Sequence, residues 1–74
     1  MSVAERIRQK RLEKGLTQEQ LAGMIGESKM AISNYEGGKR MPEFAPILRI
    51  ARVLDTTCEE LGADIDNYGS EIKN

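Results

Sequence analysis

The sequence predicts one small all-α domain of five short helices. Three features predict this fold: capping residues precede runs of helix formers, apolar residues recur with a helical period, and glycines follow the runs. A chain of 74 residues, 39% hydrophobic and 4% aromatic, can build one core of aliphatic side chains but hardly a sizeable substrate pocket. We expect the folded domain to span residues 1–63 and an acidic tail to occupy residues 64–74.

Helix 1 is predicted over residues 3–14. Ser2 and Glu5 have the spacing of a capping box, the residues up to Lys14 are good helix formers, and Gly15 suits a C-terminal cap. Its apolar side is expected to carry Val3, Ile7 and Leu12.

Helices 2 and 3 are predicted on either side of a tight corner. Thr17 and Gln20 form a second capping box, so helix 2 should begin at about Gln18 and end at Gly26. Ser28 can cap helix 3, which Gly37 and Gly38 end. The expected buried residues are Leu21, Ala22 and Ile25 in helix 2, and Ala31, Ile32 and Tyr35 in helix 3. Two short helices at a steep angle are the outline of a DNA-reading helix-turn-helix.

Helices 4 and 5 complete the domain. Apolar residues recur with a helical period from Phe44 to Leu54, and Pro46 is tolerable in the first turn, so this segment predicts helix 4. Thr57 and Glu60 then form another capping box, which predicts a helix 5 of about one turn.

Charge is divided unevenly along the chain. Residues 1–54 hold ten Lys and Arg against six Asp and Glu, whereas residues 55–74 hold one lysine against six acids. A basic body of this kind can face phosphates although the whole chain has a net charge of −1. The acidic tail is either a solvated segment or a site for a protein partner.

Several classes of function are excluded by composition. The chain has no histidine, which removes Ser-His and Cys-His dyads and histidine metal sites. Its single cysteine, Cys58, can form neither an internal disulfide nor a thiolate zinc site, and it suits a reducing cytosol. No apolar run approaches the roughly 20 residues that a membrane span needs. We therefore expect a non-enzymatic cytoplasmic protein that requires no cofactor or metal.

Linked motifs carry a family resemblance that covers about residues 4–62. They read LTQEQLA over 16–22, ISNYEGG over 32–38, proline at 42 and LRIARVL over 48–54. The chain thus resembles the phage-repressor and Cro type of helix-turn-helix domain. The resemblance implies a five-helix lambda-repressor-like bundle, helix 3 in the DNA major groove, and usually a symmetric dimer on a palindromic operator. Asp55 stands where a glycine is common in the family, and Lys10 where a leucine is common.

Polar residues on helix 3 are the candidates for reading DNA bases. Lys29 and Met30 occupy the first turn, where a lysine can donate to guanine O6 and N7 and a methionine can contact a thymine methyl. Asn34 lies one turn further along, where an asparagine can pair with adenine N6 and N7, and Ser33 can reach a base or a phosphate. The alternative is that all four are ordinary solvated residues of a helix surface.

Two groups of residues are candidates for phosphate contacts. Gln18 lies at the start of helix 2, where the N–H groups and the helix dipole favour an anion, and the resemblance implies the same role. The remaining candidates are the loop residues Lys39 and Arg40 and the capping residues Thr17 and Ser28. Here too the alternative is a solvated side chain.

The resemblance assigns structural roles as well. It implies a partly buried ion pair between Arg11 and Glu36, and a dimer interface near helix 5 that includes Leu61, Ile65 and Tyr68. The alternative for Leu61 is that it closes the core of the single chain.

The sequence therefore predicts a small dimeric transcriptional repressor that binds double-stranded DNA. The alternative is an antitoxin-type protein whose C-terminal region binds and neutralises a toxin while the protein autoregulates its operon.

Overall fold

The computed structural model describes residues 2–63, which contain four α-helices and no strand. The helices are α1 (Val3–Glu13), α2 (Gln18–Ile25), α3 (Lys29–Glu36) and α4 (Phe44–Val53). The all-α prediction is confirmed, and each helix begins at the predicted residue. No helix within residues 2–63 is long and apolar enough to cross a membrane.

The predicted capping residues start the first three helices. At α2, the Thr17 hydroxyl accepts from the Gln20 N–H at 3.0 Å and the Gln20 side chain accepts from the Thr17 N–H at 2.8 Å. Ser2 and Glu5 make the same reciprocal pair at α1, and Ser28 Oγ accepts from the Ala31 N–H at 3.0 Å at α3. Each cap satisfies backbone donors that have no partner inside their helix, which is why these residues could be recognised in the sequence.

The corner between α2 and α3 consists of the three residues Gly26, Glu27 and Ser28. Gly26 lies in the left-handed region with φ of +73°, and the N–H groups of Gly26 and Glu27 both donate to the carbonyl of Ala22. Glycine adopts this conformation without a steric penalty, so the chain can reverse at once and begin α3.

One hydrophobic core holds the helices together. Packing of α1 against α3, and of α2 against both α3 and α4, buries side chains from every helix. The largest fully buried residues are Ile7, Leu21, Ile32, Tyr35, Pro42, Ile47, Ile50 and Leu61.

The prediction that Leu12 lies on the apolar side of helix 1 is wrong, because Leu12 is 52% exposed. The inward face of α1 carries Ile7 and Arg11, which are one turn apart and both buried. Leu12 is rotated by about 100° from Arg11 around the helix and therefore points outward. The helical period misled because it counts apolar side chains and gives no place to an arginine that is buried by a partner on another helix.

A fifth helix is not confirmed, because residues 57–62 form a capped turn. The Thr57 hydroxyl accepts from the Glu60 N–H at 3.0 Å, and the Leu61 N–H donates to the Thr57 carbonyl at 3.1 Å. Gly62, with φ of +84°, then ends the segment after one helical hydrogen bond. The predicted cap is therefore present, but the segment it starts is too short to count as a helix.

Asp55 is the one non-glycine residue of residues 2–63 with a positive φ, at +57°. It follows α4, and the next residue, Thr56, donates its N–H to the Ala51 carbonyl at 2.9 Å. This bond closes the C-terminal end of α4. In caps of this kind the residue just before the donor, here Asp55, is usually a glycine. Asp55 thus replaces the glycine that is common in the family at a position where the backbone conformation favours glycine.

Candidate nucleic-acid interface

The first turn of α3 and the start of α2 share one surface concavity. Lys29, Met30 and Ser33 line it from α3, and Gln18 lines it from α2. Met30 is 72% exposed although it is apolar, while the opposite side of α3 buries Ala31, Ile32 and Tyr35. The structure thus brings three of the predicted base readers together with a predicted phosphate contact. Asn34, the fourth base reader, is half-buried and lies one turn further along α3.

The lysines of this region carry unneutralised charge. Within residues 2–63, no carboxylate oxygen lies within 4.0 Å of the amino group of Lys29 or Lys39. Arg40 differs, because its guanidinium lies 5.8 Å from the centre of the Tyr35 ring and 3.5 Å from Oε1 of Glu43. Arg40 is therefore partly committed to contacts within the chain, and the two lysines are not.

The capping hydroxyls retain hydrogen-bonding capacity toward a ligand. Thr17 and Ser28 each accept one backbone N–H, and a hydroxyl also has one donor, which neither cap uses. The partial positive charge at the start of each helix favours an anion there. Glu19, an acid in the first turn of α2, opposes this preference.

A buried ion pair lies behind the interface. Arg11 Nε and Nη2 donate to Glu36 Oε2 and Oε1 at 2.6 and 3.0 Å, and the two side chains are 8% and 3% exposed. Arg11 Nη1 also donates to the Leu16 carbonyl at 2.7 Å, ahead of α2. The pair that the resemblance implied therefore joins α1, the start of α2 and the end of α3.

Gln18 belongs to this network, which sequence reasoning missed. Its Nε2 donates to Glu36 Oε1 at 3.1 Å, so the carboxylate of Glu36 receives three hydrogen bonds. An amide nitrogen carries two hydrogens, and the second stays available to a phosphate. Nothing in the sequence signals a contact between residues 18 positions apart on different helices.

The expected dimer contacts are only partly within the described region. Leu61 is fully buried in the core of the single chain, which favours the alternative role considered for it. A partner's side chain cannot reach it while the core is intact. Ile65 and Tyr68, and the acidic tail on which the antitoxin alternative depends, lie outside the described residues.

Titration and metal binding add little to this surface. Burial, and secondarily the negative charge of Glu27, raises the pKa of Tyr35 above its ordinary value of 10.0. Tyr35 is thus a neutral core residue at physiological pH. Within residues 2–63, no group of three or more Cys, Asp or Glu side chains is arranged to hold a metal ion.

Comparison with known proteins assigns the chain to a family. The helix-turn-helix family model matches residues 7–61. The chain is 39% identical over 61 residues to the HTH-type transcriptional activator BcrR of Enterococcus faecalis, which covers 82% of this chain and 30% of BcrR. The curated relatives that it matches are longer, and the chain spans 30% to 50% of their length.

Solved structures share the fold at comparable identity. The restriction-modification controller protein C.AhdI from Aeromonas hydrophila has 36% identity and a TM-score of 0.75, covering 80% of this chain and 89% of that one. The P22 c2 repressor, solved in complex with a synthetic operator, has 29% identity and a TM-score of 0.79, covering 86% and 98%. The chain therefore belongs to the helix-turn-helix family, in its phage-repressor and Cro branch.

Proposed function

We propose that this protein binds double-stranded DNA as a transcriptional regulator, with α3 in the major groove. The observation that carries the proposal is the concavity where Lys29, Met30 and Ser33 meet the N-terminus of α2. Lys29 and Ser33 each offer a hydrogen-bond donor and the exposed Met30 offers an apolar group, all three within the first five residues of α3. Base edges in the major groove present the complementary acceptors and thymine methyl groups.

Base contacts are assigned to four residues of α3. Lys29 donates to guanine O6 and N7, and Met30 packs on a thymine methyl, because the first turn of a recognition helix reaches deepest into the groove. Asn34 pairs with adenine, and Ser33 contacts a base or an adjoining phosphate. These side chains determine which sequence is bound.

Phosphate contacts are assigned to residues that flank α3. One stretch of the DNA backbone is held by the N–H and O–H donors of Gln18, Thr17 and Ser28. The next phosphates along the strand are held by Lys39 and Arg40. If each subunit neutralises about three phosphates, a dimer loses on the order of a thousandfold in affinity between 50 and 200 mM salt. These contacts supply affinity without sequence preference.

The full proposal is a dimeric repressor on a palindromic operator. Two recognition helices must lie about 34 Å apart to enter successive major grooves on one side of the duplex, so a symmetric dimer specifies a symmetric site. Support comes from the likeness to the P22 c2 repressor, which was solved with an operator. The name of BcrR makes activation the competing outcome, and a reporter gene behind the selected site distinguishes the two.

Selection from a random-sequence duplex library in 50 mM salt tests the proposal. We expect enrichment of an inverted repeat with half-site centres one helical turn apart, confirmed by gel shift. The variants Lys29→Ala and Asn34→Ala should relax the preference at particular bases, whereas Lys39→Ala should weaken binding to every duplex alike. Failure to enrich any sequence would contradict the proposal, and a changed preference in Lys39→Ala would overturn the division of roles.

A further inference from the structure

The side chain of Arg49 on α4 reaches the corner of the helix-turn-helix. Its Nε donates to the carbonyl oxygen of Ile25 at 3.0 Å, and its Nη2 lies 3.5 Å from Oε2 of Glu27. Ile25 is the last residue of α2, and Glu27 is the middle residue of the turn. One guanidinium therefore holds the chain on both sides of Gly26, where the backbone reverses.

The two contacts suit an arginine for different reasons. The Ile25 carbonyl is at the C-terminus of α2, where carbonyl groups lack partners within the helix and a cation is favourable. The carboxylate of Glu27 is partly shielded, with its side chain 25% exposed. The planar guanidinium presents several donors in a fixed arrangement, so it can hold a carbonyl and a carboxylate at once.

We infer, on the basis of the proposed DNA binding, that Arg49 is a positioning residue for base recognition. It sets the angle at which α3 leaves the corner and hence the place of Lys29 and Met30 in the groove. Ser28 caps α3 and Lys29 begins it, so a rotation at the turn moves the first turn of α3 directly. Hydrogen bonds to bases weaken steeply with displacement and misalignment, so a small rotation is enough to lose them.

This role predicts an effect on specificity that neither a phosphate contact nor a purely stabilising contact would produce. Loss of a residue that only orients α3 weakens binding to the selected duplex and leaves binding to unrelated DNA unchanged. Loss of an arginine that contacts phosphate weakens binding to both duplexes equally and reduces the salt dependence of binding. Loss of a purely stabilising contact changes the affinity for neither duplex once the variant is fully folded.

The test compares Arg49→Met with Arg52→Met at a temperature where circular dichroism shows both variants folded. Arg52 is the matched control, since it is an exposed arginine of the same helix with no ion pair within residues 2–63. The probes are the duplex selected by the wild-type protein and a duplex of unrelated sequence, at one salt concentration. Arg49→Met should bind the selected duplex about tenfold more weakly than Arg52→Met, the equivalent of losing one base contact, with no difference on the unrelated duplex.

A readout without DNA separates this inference from the proposed function. Amide hydrogen exchange at Gly26 and Glu27 should be faster in Arg49→Met than in the wild type and unchanged in Arg52→Met, because local opening governs exchange. The affinity of Arg49→Lys for the selected duplex should lie between those of Arg49→Met and the wild type, because a single ammonium group replaces the several donors of the guanidinium. Arg49→Lys takes the place of Arg49→Met in the test if Arg49→Met does not fold.

Three results would overturn the inference. Equal weakening on both duplexes would make Arg49 a phosphate contact, and unchanged affinity with unchanged exchange would remove its role at the corner. Faster exchange with unchanged affinity would reduce Arg49 to a stabilising contact. If the wild-type protein enriches no duplex at all, the proposed function fails first, and the positioning role falls with it.

Discussion

Replacing Glu36 with alanine should remove a large part of the stability of this domain. The carboxylate receives three hydrogen bonds, from two nitrogens of Arg11 and from Gln18, and both charged side chains are less than one-tenth exposed. Truncating one partner of such a pair leaves a buried guanidinium without its counter-charge, which costs about 3–5 kcal/mol. A domain of this length has a free energy of unfolding of about 4–11 kcal/mol, so the loss amounts to about a quarter or more of it, and both the thermal midpoint and the urea midpoint of Glu36→Ala should fall.

The double variant Arg11→Met/Glu36→Met tests whether the cost comes from the stranded charge. Removing both charges should be less destabilising than Glu36→Ala alone, although the double variant also loses the bond to the Leu16 carbonyl. Urea unfolding followed by circular dichroism at pH 7 measures the differences. Glu13→Ala is the control, because the pair of Glu13 with Lys10 is exposed and 3.8 Å long, and it should change the free energy of unfolding by less than about 0.5 kcal/mol. A loss below about 1 kcal/mol in Glu36→Ala, or a double variant less stable than the single one, would refute this reasoning.

Three further predictions concern other parts of the domain. Asp55→Gly should stabilise the domain by about 0.5 kcal/mol, because the steric strain that glycine relieves in the left-handed conformation exceeds the conformational entropy that it adds to the unfolded chain. A lower thermal midpoint for Asp55→Gly would contradict this prediction. Hydrogen bonds from Thr56 and Thr57 hold the pKa of Glu60 below 4.5, so its contribution to stability is present above pH 4.5 and is lost as the pH falls through the lowered pKa. Glu60→Gln should therefore flatten the acid side of a urea-midpoint profile between pH 6 and 3, and an unchanged slope would argue against this cap. In gel shifts at several salt concentrations, Lys39→Ala should reduce the slope of log affinity against log salt by about 0.9 per subunit, and an unchanged slope would exclude Lys39 as a phosphate contact.

Local signals explain why much of the fold could be predicted from the sequence. Thr17 and Gln20 satisfy each other's backbone donors across three residues, and Gly26 ends α2 by its own backbone conformation. Features of this kind need no knowledge of the rest of the chain. The one-turn segment after Thr57 shows their limit, because a cap marks where a helix can begin and not how far it continues.

Contacts between distant parts of the chain account for what the sequence did not reveal. The pairing of Arg11 with Glu36, 25 residues away on another helix, was implied by the family resemblance alone, and the helical period by itself misplaced Leu12. The links from Gln18 to Glu36 and from Arg49 to the corner are also contacts between distant residues. Capping and periodicity describe single helices, so they cannot indicate which polar side chains meet once the helices pack.

Chemical-shift mapping of the isotope-labelled protein with its selected duplex addresses the role of α3 itself. In 50 mM salt, the largest changes should fall on residues 29–34 and on Gln18, with smaller changes at Lys39 and Arg40. Changes concentrated on the outer face of α4, or no change with any duplex, would contradict the placement of α3 in the major groove.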